Sequence, residues 1–247
     1  MATSASSKGL AIVTGASSGI GLATARQLHA DGYAVSLFAR REDRLKEVVA
    51  DLGPNASYAC VDVTDAASVQ AAVEKAEKEH GPTSVLVCNA GCMLLGQIPT
   101  QDPAEWKRML DVNVMGVLLC MNSVLGGMYE RRSGLVVNVS SIAGRKSFPN
   151  HAVYCATKFA VHAMTETIRE EASKHGVRCT VVAPGVVETE LLSHTTDAEI
   201  VSGYKEWKKD MKVLEAVDIA RAVSYAAAQP EHVCIREIVI GPTAQAP

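Results

Sequence analysis

Short apolar runs alternate with longer segments of helical periodicity along most of the chain. The apolar runs are almost continuously hydrophobic and lie at Leu10–Thr14, Ala34–Ala39, Ser57–Val61, Val85–Cys88, Leu135–Val139, Arg178–Val182 and Glu237–Ile240. The helical patterns lie at Ile20–Asp31, Asp43–Asp51, Ala66–His80, Pro103–Glu130, Val153–His175 and Ala216–Ala228. Continuously apolar strands are typical of parallel sheets covered on both faces. The pattern predicts an α/β fold with a seven-stranded, doubly wound parallel sheet.

One segment breaks this alternation. Residues 186–212 are polar, contain Tyr204 and Trp207, and lie between the sixth strand and the last helix. Ligands of open α/β sheets bind beyond the carboxyl ends of the strands, where this segment emerges. We therefore expect a substrate lid here, the alternative being surface helices that only pack on the domain. Without a flexible linker or a repeat, residues 1–247 predict one domain.

Composition and charge exclude several classes of protein. The chain has 24 Lys and Arg against 27 Asp and Glu, and its net charge of −3 argues against nucleic acid as a partner. Seven scattered cysteines without paired CxxC motifs favour free thiols in a reducing compartment and no metal site. The first residues lack the apolar stretch of a secretory signal, and no apolar run approaches the roughly 18 residues of a membrane span. We expect a cytoplasmic protein without a membrane segment.

A glycine-rich turn directly follows the first strand and opens a helix. It reads TGASSGIG at residues 14–21, a GxxxGxG spacing that differs from the common GxGxxG. Glycines permit a sharp turn and a close approach of the backbone to a pyrophosphate, which the helix N-terminus attracts. The alternative is a purely structural turn. The dinucleotide contacts expected here are Gly15, Ser17, Ser18, Gly19, Ile20 and Gly21.

The end of the second strand predicts which dinucleotide binds. An acid there would hold a ribose 2′-hydroxyl, whereas positive charge accommodates a 2′-phosphate. Here Arg40 and Arg41 precede the first acid, Glu42, so NADP(H) is favoured, with Arg40 as the main contact and Arg41 assisting. The alternative is that both are solvated residues opening a helix. Asp62, followed by Val63, is placed either to contact the adenine or to cap a helix.

A tyrosine and a lysine four residues apart open a long predicted helix. Tyr154 and Lys158 therefore lie on one helix face. A free phenol titrates near about 10, and a neighbouring ammonium lowers that pKa. Ser141 can polarise a carbonyl, Tyr154 can protonate the oxygen, Lys158 can bind the nicotinamide ribose, and Asn113 can hold a water that links Lys158 to solvent. A YxxxK pair also occurs by chance in many helices.

Taken together, these motifs resemble the short-chain dehydrogenase/reductase family over nearly the whole chain. The matching stretches are TGASSGIG, Asn89-Ala90-Gly91, Asn113, Ser140-Ser141, YCATK at 154–158, and Pro184-Gly185 followed by Thr189. The resemblance implies a Rossmann-type domain, a nicotinamide cofactor, and a catalytic tetrad of Asn113, Ser141, Tyr154 and Lys158. Family spacing from Tyr154 selects Ser141 over Ser140. Cys88 departs from the common NNAG motif, with little expected effect.

The resemblance also implies further contacts. The cofactor contacts that it adds are Asn89, Ala90, Gly91, Pro184, Gly185, Val187 and Thr189, besides Tyr154 and Lys158. The expected substrate pocket contains Ser141, Cys92, Met93, His151, Tyr154, Val186 and Leu191. Family members often pair the helices that correspond to Trp106–Tyr129 and Ala152–Ala172, whose apolar faces are wide here. A homodimer or homotetramer is therefore expected.

Other stretches resemble one branch of the family, which contains NADP-dependent 3-hydroxy acid and serine dehydrogenases and clavulanate dehydrogenase. The expected function is NADPH-dependent reduction of a small or medium aldehyde or ketone, or oxidation of the corresponding alcohol or hydroxy acid. Two alternatives remain open. One is a non-catalytic dinucleotide-binding scaffold or sensor, and the other is an epimerase or dehydratase of the same fold.

Three further residues invite a chemical role that we do not assign. His151 precedes Tyr154 by three positions, but a pocket-wall role is favoured because the tyrosine and lysine already supply the proton path. His194 lies among acids without the spacing of a metal site, which favours a solvated surface. Nothing beside Cys92 in sequence lowers its pKa enough for nucleophilic work.

Overall fold

A computed structural model describes residues 8–245, which form a single seven-stranded parallel sheet. The strand order is β3-β2-β1-β4-β5-β6-β7. The strands are β1 (Leu10–Thr14), β2 (Ala34–Ala39), β3 (Ala56–Cys60), β4 (Thr83–Cys88), β5 (Gly134–Val139), β6 (Val177–Pro184) and β7 (Glu237–Ile240). The predicted doubly wound fold is confirmed. The predicted absence of a secretory signal concerns residues 1–7, which lie outside the described residues, as do the last two residues of the predicted domain.

Helices cover both faces of the sheet. They are α1 (Gly19–Ala30), α2 (Glu42–Leu52), α3 (Ala66–His80), α4 (Pro103–Leu110), α5 (Gly116–Arg131), α6 (Ala152–Ser173), α7 (Ala198–Lys208) and α8 (Ala216–Ala227). Apolar side chains of α3, α5 and α6 pack on one face, and those of α1, α2 and α8 pack on the other. Between the two helix layers, the carboxyl ends of the parallel strands lie together at one edge of the sheet.

The depth of burial differs between inner and edge strands. Every residue of β1 and β2 is buried, whereas β3 and β7 are mostly half-buried. An edge strand pairs with a neighbouring strand on one side only. The continuous apolar pattern therefore predicted deeper burial for β3 and β7 than the structure shows. The strand bounds differ from the predicted ones by at most two residues.

The helix predicted over Pro103–Glu130 is interrupted. Asp102 caps its first turn, since the Asp102 carboxylate accepts from the Ala104 N–H at 2.9 Å. A π-helical turn, Asp111–Met115, separates α4 from α5. Such turns are rare and occur mostly at functional sites. Here the turn contains Asn113.

The continuous helical run Pro103–Arg131 is long and apolar enough, by length and composition, to cross a membrane. This differs from the expectation that no apolar run approaches that length. Val117, Met121, Val124 and Met128 of this run are buried in the core. Core helices that pack on a sheet satisfy the same criterion, so the run is weak grounds for a membrane span.

Residues 186–212 leave the sheet after β6. They contain a short 3₁₀ helix, Glu190–His194, and then α7. Val187 pairs with Leu214 in an isolated bridge, so both ends of the segment are fixed near the sheet. We refer to residues 186–212 as the 186–212 segment.

Candidate active site

A cavity of about 1440 Å³ lies along the carboxyl ends of the strands. It extends from Arg40 and Arg41 at the end of β2, past the glycine-rich turn, to Tyr154, and on to Trp207 of the 186–212 segment. Every predicted cofactor and pocket residue except Gly21 lines it. Gly21 and Asn113 lie behind its wall and shape it from there.

The glycine-rich turn has the close contacts expected of a phosphate-binding turn. Gly15 has a φ of +66°, which favours glycine. A Cβ on Gly21 would lie 2.4 Å from the Gly15 carbonyl oxygen and 2.5 Å from Asn89 Nδ2. The Thr14 hydroxyl accepts from the N–H groups of Asn89 and Ala90, both at 3.0 Å. The turn is therefore fixed to the end of β4, and Thr14 is a positioning residue that the sequence analysis missed.

Arg41 lies directly over this turn. Its guanidinium donates to the Ser17 hydroxyl at 2.9 and 3.0 Å and to the Ser18 hydroxyl at 2.6 Å. Arg40, predicted as the main phosphate contact, lines the same end of the cavity. Both arginines are thus placed for an anion, and Arg41 is the one that the turn orients.

An acid from the 186–212 segment reaches the same arginine. The Glu190 carboxylate binds Arg41 at 2.7 Å and Arg44 at 2.8 Å. The hydrogen bonds from these two guanidinium groups lower the pKa of Glu190 to about 2. This link between α2 and the 186–212 segment has no signal in the sequence, because it joins residues nearly 150 positions apart.

The Asp62 carboxylate serves a turn and lines the cavity. It accepts from the Thr64 N–H at 3.0 Å and from the Thr64 hydroxyl at 2.8 Å, and these bonds lower its pKa. Asp65, not Asp62, caps α3. Val63 lines the cavity beside Asp62, so this pair remains available to the adenine end of a dinucleotide.

Ser141, Tyr154 and Lys158 lie together at the middle of the cavity. The Ser141 hydroxyl is hydrogen-bonded to the Tyr154 phenol and is oriented by the Ala143 N–H, which donates to it at 3.0 Å. Lys158 Nζ lies 5.7 Å from the centroid of the Tyr154 ring and donates to the Val139 carbonyl at 3.1 Å. The spacing of the YxxxK motif therefore does bring the two side chains to one place.

The electrostatics of this group differ from expectation in one respect. Burial raises the pKa of the Tyr154 phenol well above its ordinary value, and the hydrogen bond with Ser141 acts in the opposite direction. Burial also lowers the pKa of Lys158 to about 8. The lowering of the phenol's pKa that we expected from Lys158 is not found: burial raises this pKa, and Ser141, not Lys158, is the group that opposes the rise. The phenol is protonated at neutral pH, which suits a proton donor.

Asn113 joins three elements. Its Oδ1 accepts from the Cys92 N–H at 2.8 Å, and its Nδ2 donates to the Cys92 carbonyl at 2.9 Å and to the Thr157 hydroxyl at 3.2 Å. The amide is buried and bonded to protein on both ends. It fixes the loop following Gly91 against α6, and a second lone pair on Oδ1 remains for the predicted water.

The residues predicted for the pocket differ in chemistry. His151 Nδ1 lies 2.6 Å from the Pro149 carbonyl oxygen, and burial lowers the pKa of its ring. Burial raises the pKa of the Cys92 thiol, which disfavours a nucleophilic thiolate. Both findings accord with wall roles.

His194 does not lie on a solvated surface, contrary to the expectation. It is half-buried and lines the cavity, and burial is the main cause that lowers its pKa. The cause is the fold of the 3₁₀ helix, which turns the imidazole inward while Glu190 binds the arginines. Within residues 8–245 no group of three or more His, Cys, Asp or Glu side chains is placed to hold a metal.

Aromatic side chains form the far wall of the cavity. Phe148 precedes α6, and Tyr204 and Trp207 belong to α7. The sequence analysis noted the last two only as aromatic residues in a polar segment. Aromatic residues in a polar segment that emerges at the carboxyl edge of the sheet are typical of a ligand pocket. This sequence signal would have predicted the place of Tyr204 and Trp207.

The comparison with protein families accords with this geometry. The short-chain dehydrogenase family model matches residues 9–200. The chain belongs to this family. A glycine betaine reductase of Emericella nidulans is 42% identical over 236 residues, which cover 94% of this chain and 18% of that protein. An uncharacterized oxidoreductase of Staphylococcus saprophyticus is 39% identical over 237 residues, which cover 95% of this chain and 96% of the relative.

Solved structures of the family show the same architecture. The closed form of a serine dehydrogenase complexed with NADP+ superposes with a TM-score of 0.91 at 29% identity, covering 96% of each chain. A 3-ketoacyl-(acyl-carrier-protein) reductase from Brucella melitensis complexed with NADH gives 0.86 at 26% identity, covering 96% of this chain and 98% of that one. The resemblance to the family, including serine dehydrogenase, is confirmed. This chain is an oxidoreductase-family protein, and both nicotinamide dinucleotides occur among its neighbours.

Proposed function

We propose that the protein is an NADPH-dependent carbonyl reductase that acts on a small or medium aldehyde or ketone and, in reverse, on the alcohol or hydroxy acid. The observation that carries the proposal is the group formed by Ser141 with the buried Tyr154 and Lys158, at the middle of a cavity whose end holds Arg41. A hydroxyl donor, a protonated phenol and an ammonium are the groups that carbonyl reduction requires of the protein.

The residues at the other end of the cavity fit a phosphorylated dinucleotide. Gly15 and Gly19 line the cavity without a side chain of their own, and Arg41 with Ser17 and Ser18 presents donors to a phosphate. Arg40 adds a second positive charge. The absence of an acid between the end of β2 and Glu42 leaves no partner for a ribose 2′-hydroxyl there, which favours NADP(H) over NAD(H).

The bound nicotinamide supplies or accepts the hydride. The protein's own residues handle the proton. Ser141 donates a hydrogen bond to the carbonyl oxygen, and Tyr154 then gives its phenolic proton to that oxygen. Lys158, positively charged below a pH of about 8, stabilises the phenolate that this leaves. Asn113 holds the loop at Cys92 in place and offers its oxygen to the water that returns a proton.

Relatives support a small polar substrate. Serine and glycine betaine, the molecules in the names of two similar proteins, are both small and bear a positively charged nitrogen and a carboxylate. A scaffold or sensor would not need Ser141 and Tyr154 at the cavity, and an epimerase or dehydratase would cause no net oxidation of NADPH. We also expect a cytoplasmic protein that contacts neither nucleic acid nor membrane.

A carbonyl screen tests the proposed function. Purified protein is incubated with NADPH or NADH and a panel of aldehydes and ketones, and the absorbance of the reduced nicotinamide is followed. Steady oxidation of NADPH with at least one carbonyl, faster than with NADH, is expected. No oxidation with any carbonyl, despite measurable binding of NADPH, would favour the scaffold.

A homodimer or homotetramer is part of the proposal. Leu110, Met115 and Phe159, on α4, the π-helical turn and α6, have nearly half of their surface exposed. Large apolar side chains on these adjacent elements favour contact with a second copy. Light scattering at micromolar concentration is expected to give a multiple of the chain mass, and the mass of one chain would contradict this part.

A further inference from the structure

Aromatic rings form a continuous wall between the proton donor and the 186–212 segment. The His151 ring lies 6.2 Å from the Tyr154 ring, 5.7 Å from Phe148 and 6.4 Å from Tyr204, measured between centroids. Tyr204 lies 5.4 Å from Trp207. Only 4% of the chain is Phe, Trp or Tyr. Because these rings are concentrated beyond Tyr154, this part of the cavity is much more aromatic than the chain as a whole.

Tyr204 and Trp207 both line the cavity. The Tyr204 and Trp207 rings meet at 66°, so that the two form a corner. They are three residues apart in α7 and share one face of this helix. Trp207 is 51% exposed, and an indole at the rim of a cavity offers an uncovered face to a ligand. Two rings at a corner are the arrangement that surrounds a cationic head group.

A cation already lies on this wall. Lys146 Nζ is 5.7 Å from the centroid of the Phe148 ring. This contact shows that a face of the wall accepts positive charge. Burial keeps the His151 ring neutral at pH 7 by lowering its pKa, so the middle of the wall adds no positive charge. The corner of Tyr204 and Trp207 lies at the opposite end of this row of rings from Lys146.

Charges near that corner favour a cation. The Lys208 ammonium, which lines the cavity, is bound by the Glu188 carboxylate at 2.7 Å. Asp197 and Glu199 also line the cavity, and both come from the 186–212 segment. Of the residues that the described segment contributes to this end of the cavity, Asp197 and Glu199 are acids, and Lys208 is a base that its pair with Glu188 neutralises. No unpaired base of this segment therefore opposes a cation at the corner.

We propose that the carbonyl substrate carries a quaternary ammonium group, which packs against Tyr204 and Trp207 while the carbonyl carbon lies near Tyr154. A trimethylammonium head cannot donate strong hydrogen bonds, so aromatic faces suit it better than single acceptors do. This inference rests on the proposed function. The carbonyl carbon gains a hydride from NADPH, the oxygen gains the proton of Tyr154, and NADP+ and an alcohol are formed. The ammonium group is unchanged.

Two isosteric aldehydes test the charge directly. One is trimethylammonio-acetaldehyde, and the other has a tert-butyl group in place of the trimethylammonium group. Their size and shape match, so a difference in kcat/KM reports the charge. A preference of about tenfold for the cation is expected from cation–π contacts. Equal or faster reduction of the neutral aldehyde would overturn the inference while leaving the proposed function intact.

Substitutions of the two rings test whether they cause the preference for the cationic aldehyde. Trp207→Leu and Tyr204→Leu are each expected to bring the preference for the cation close to one. Tyr225→Leu is the matched control, because Tyr225 is an exposed aromatic residue of α8 that does not line the cavity. It should leave the preference unchanged. A preference that survives in Trp207→Leu and Tyr204→Leu together would overturn the assignment to these rings.

A binding measurement keeps the inference separate from the reductase activity. Calorimetry compares the two product alcohols, choline and its tert-butyl isostere, on the protein saturated with NADP+. Tighter binding of choline, lost in Trp207→Leu, supports the inference even if no aldehyde is turned over. Equal binding of the two alcohols contradicts it. Failure of every carbonyl in the presence of NADPH would instead contradict the proposed function.

Discussion

The two ends of the cavity are built in different ways. At the dinucleotide end, Gly15 and Gly21 approach Asn89 closely, and the Thr14 hydroxyl fixes the turn by accepting from the N–H groups of Asn89 and Ala90. The far end is formed by the 186–212 segment, which is held in part by ion pairs near the surface, namely that of Glu188 with Lys208 and that of Glu190 with Arg41 of the dinucleotide end. Exposed pairs contribute little, about 0–1 kcal/mol each. Under the proposed function, the rigid end would bind the dinucleotide, which is common to the family, and the more adaptable end would select the substrate.

Of the effects that compare the two ends, the largest is expected at Lys158, where the two ends meet. Its pKa of about 8 means that the ammonium is present below that pH and is lost above it. The kcat/KM for carbonyl reduction should therefore be level below about pH 8 and fall above it. Lys158→Met should lower kcat on the order of 100-fold or more and remove this alkaline decline. A pH profile that keeps the same decline in Lys158→Met would assign it to another group.

The next effect tests the rigidity of the dinucleotide end. In Gly21→Ala, the new Cβ would lie within 2.5 Å of the Gly15 carbonyl and the Asn89 amide. We expect the free energy of unfolding to fall by about 1–3 kcal/mol and NADPH binding to weaken. Gly203→Ala is the control in α7, since nothing lies within 4 Å of its added Cβ. Urea unfolding and fluorescence titration of both variants measure the difference, and equal losses would contradict the comparison.

A smaller effect concerns the choice of dinucleotide. Arg41→Ala removes a guanidinium that Ser17 and Ser18 orient toward the proposed phosphate. Loss of a charge-assisted hydrogen bond should weaken NADPH about tenfold or more and NADH very little. Arg40→Asp should shift the preference toward NADH. Dissociation constants for both dinucleotides decide which arginine matters more, and an unchanged ratio in both variants would refute the NADP(H) assignment.

The smallest effect is expected at the link between the two ends. Glu190→Gln removes the charge that Arg41 and Arg44 share with the 186–212 segment. Glu190 then no longer competes with the NADPH phosphate for Arg41. NADPH should therefore bind a few-fold more tightly, while the stability of the fold changes little. Glu206→Gln, in an exposed pair with Lys209, is the control. Weaker binding of NADPH in Glu190→Gln would show that Glu190 supports the site rather than competes for it.

The difference between local and long-range contacts explains what the sequence could predict. Strand positions and the Tyr154 and Lys158 pair follow from local periodicity, because the pattern of burial and the helical repeat are properties of neighbouring residues. The contact of Glu190 with Arg41 joins residues far apart in the chain, and the π-helical turn at Asn113 depends on a partner at Cys92. Burial of Tyr154 likewise depends on the whole fold. Such features require the tertiary structure.

The central claim is that Tyr154 gives its proton to the carbonyl oxygen in the cavity that also binds the dinucleotide. A single-turnover experiment with Tyr154→Phe tests it most directly, with an aldehyde that the unaltered protein reduces. NADPH binding, followed by fluorescence, should be unchanged, while oxidation of the bound NADPH by that aldehyde should slow by on the order of 1,000-fold. Oxidation at the original rate in Tyr154→Phe would contradict the account.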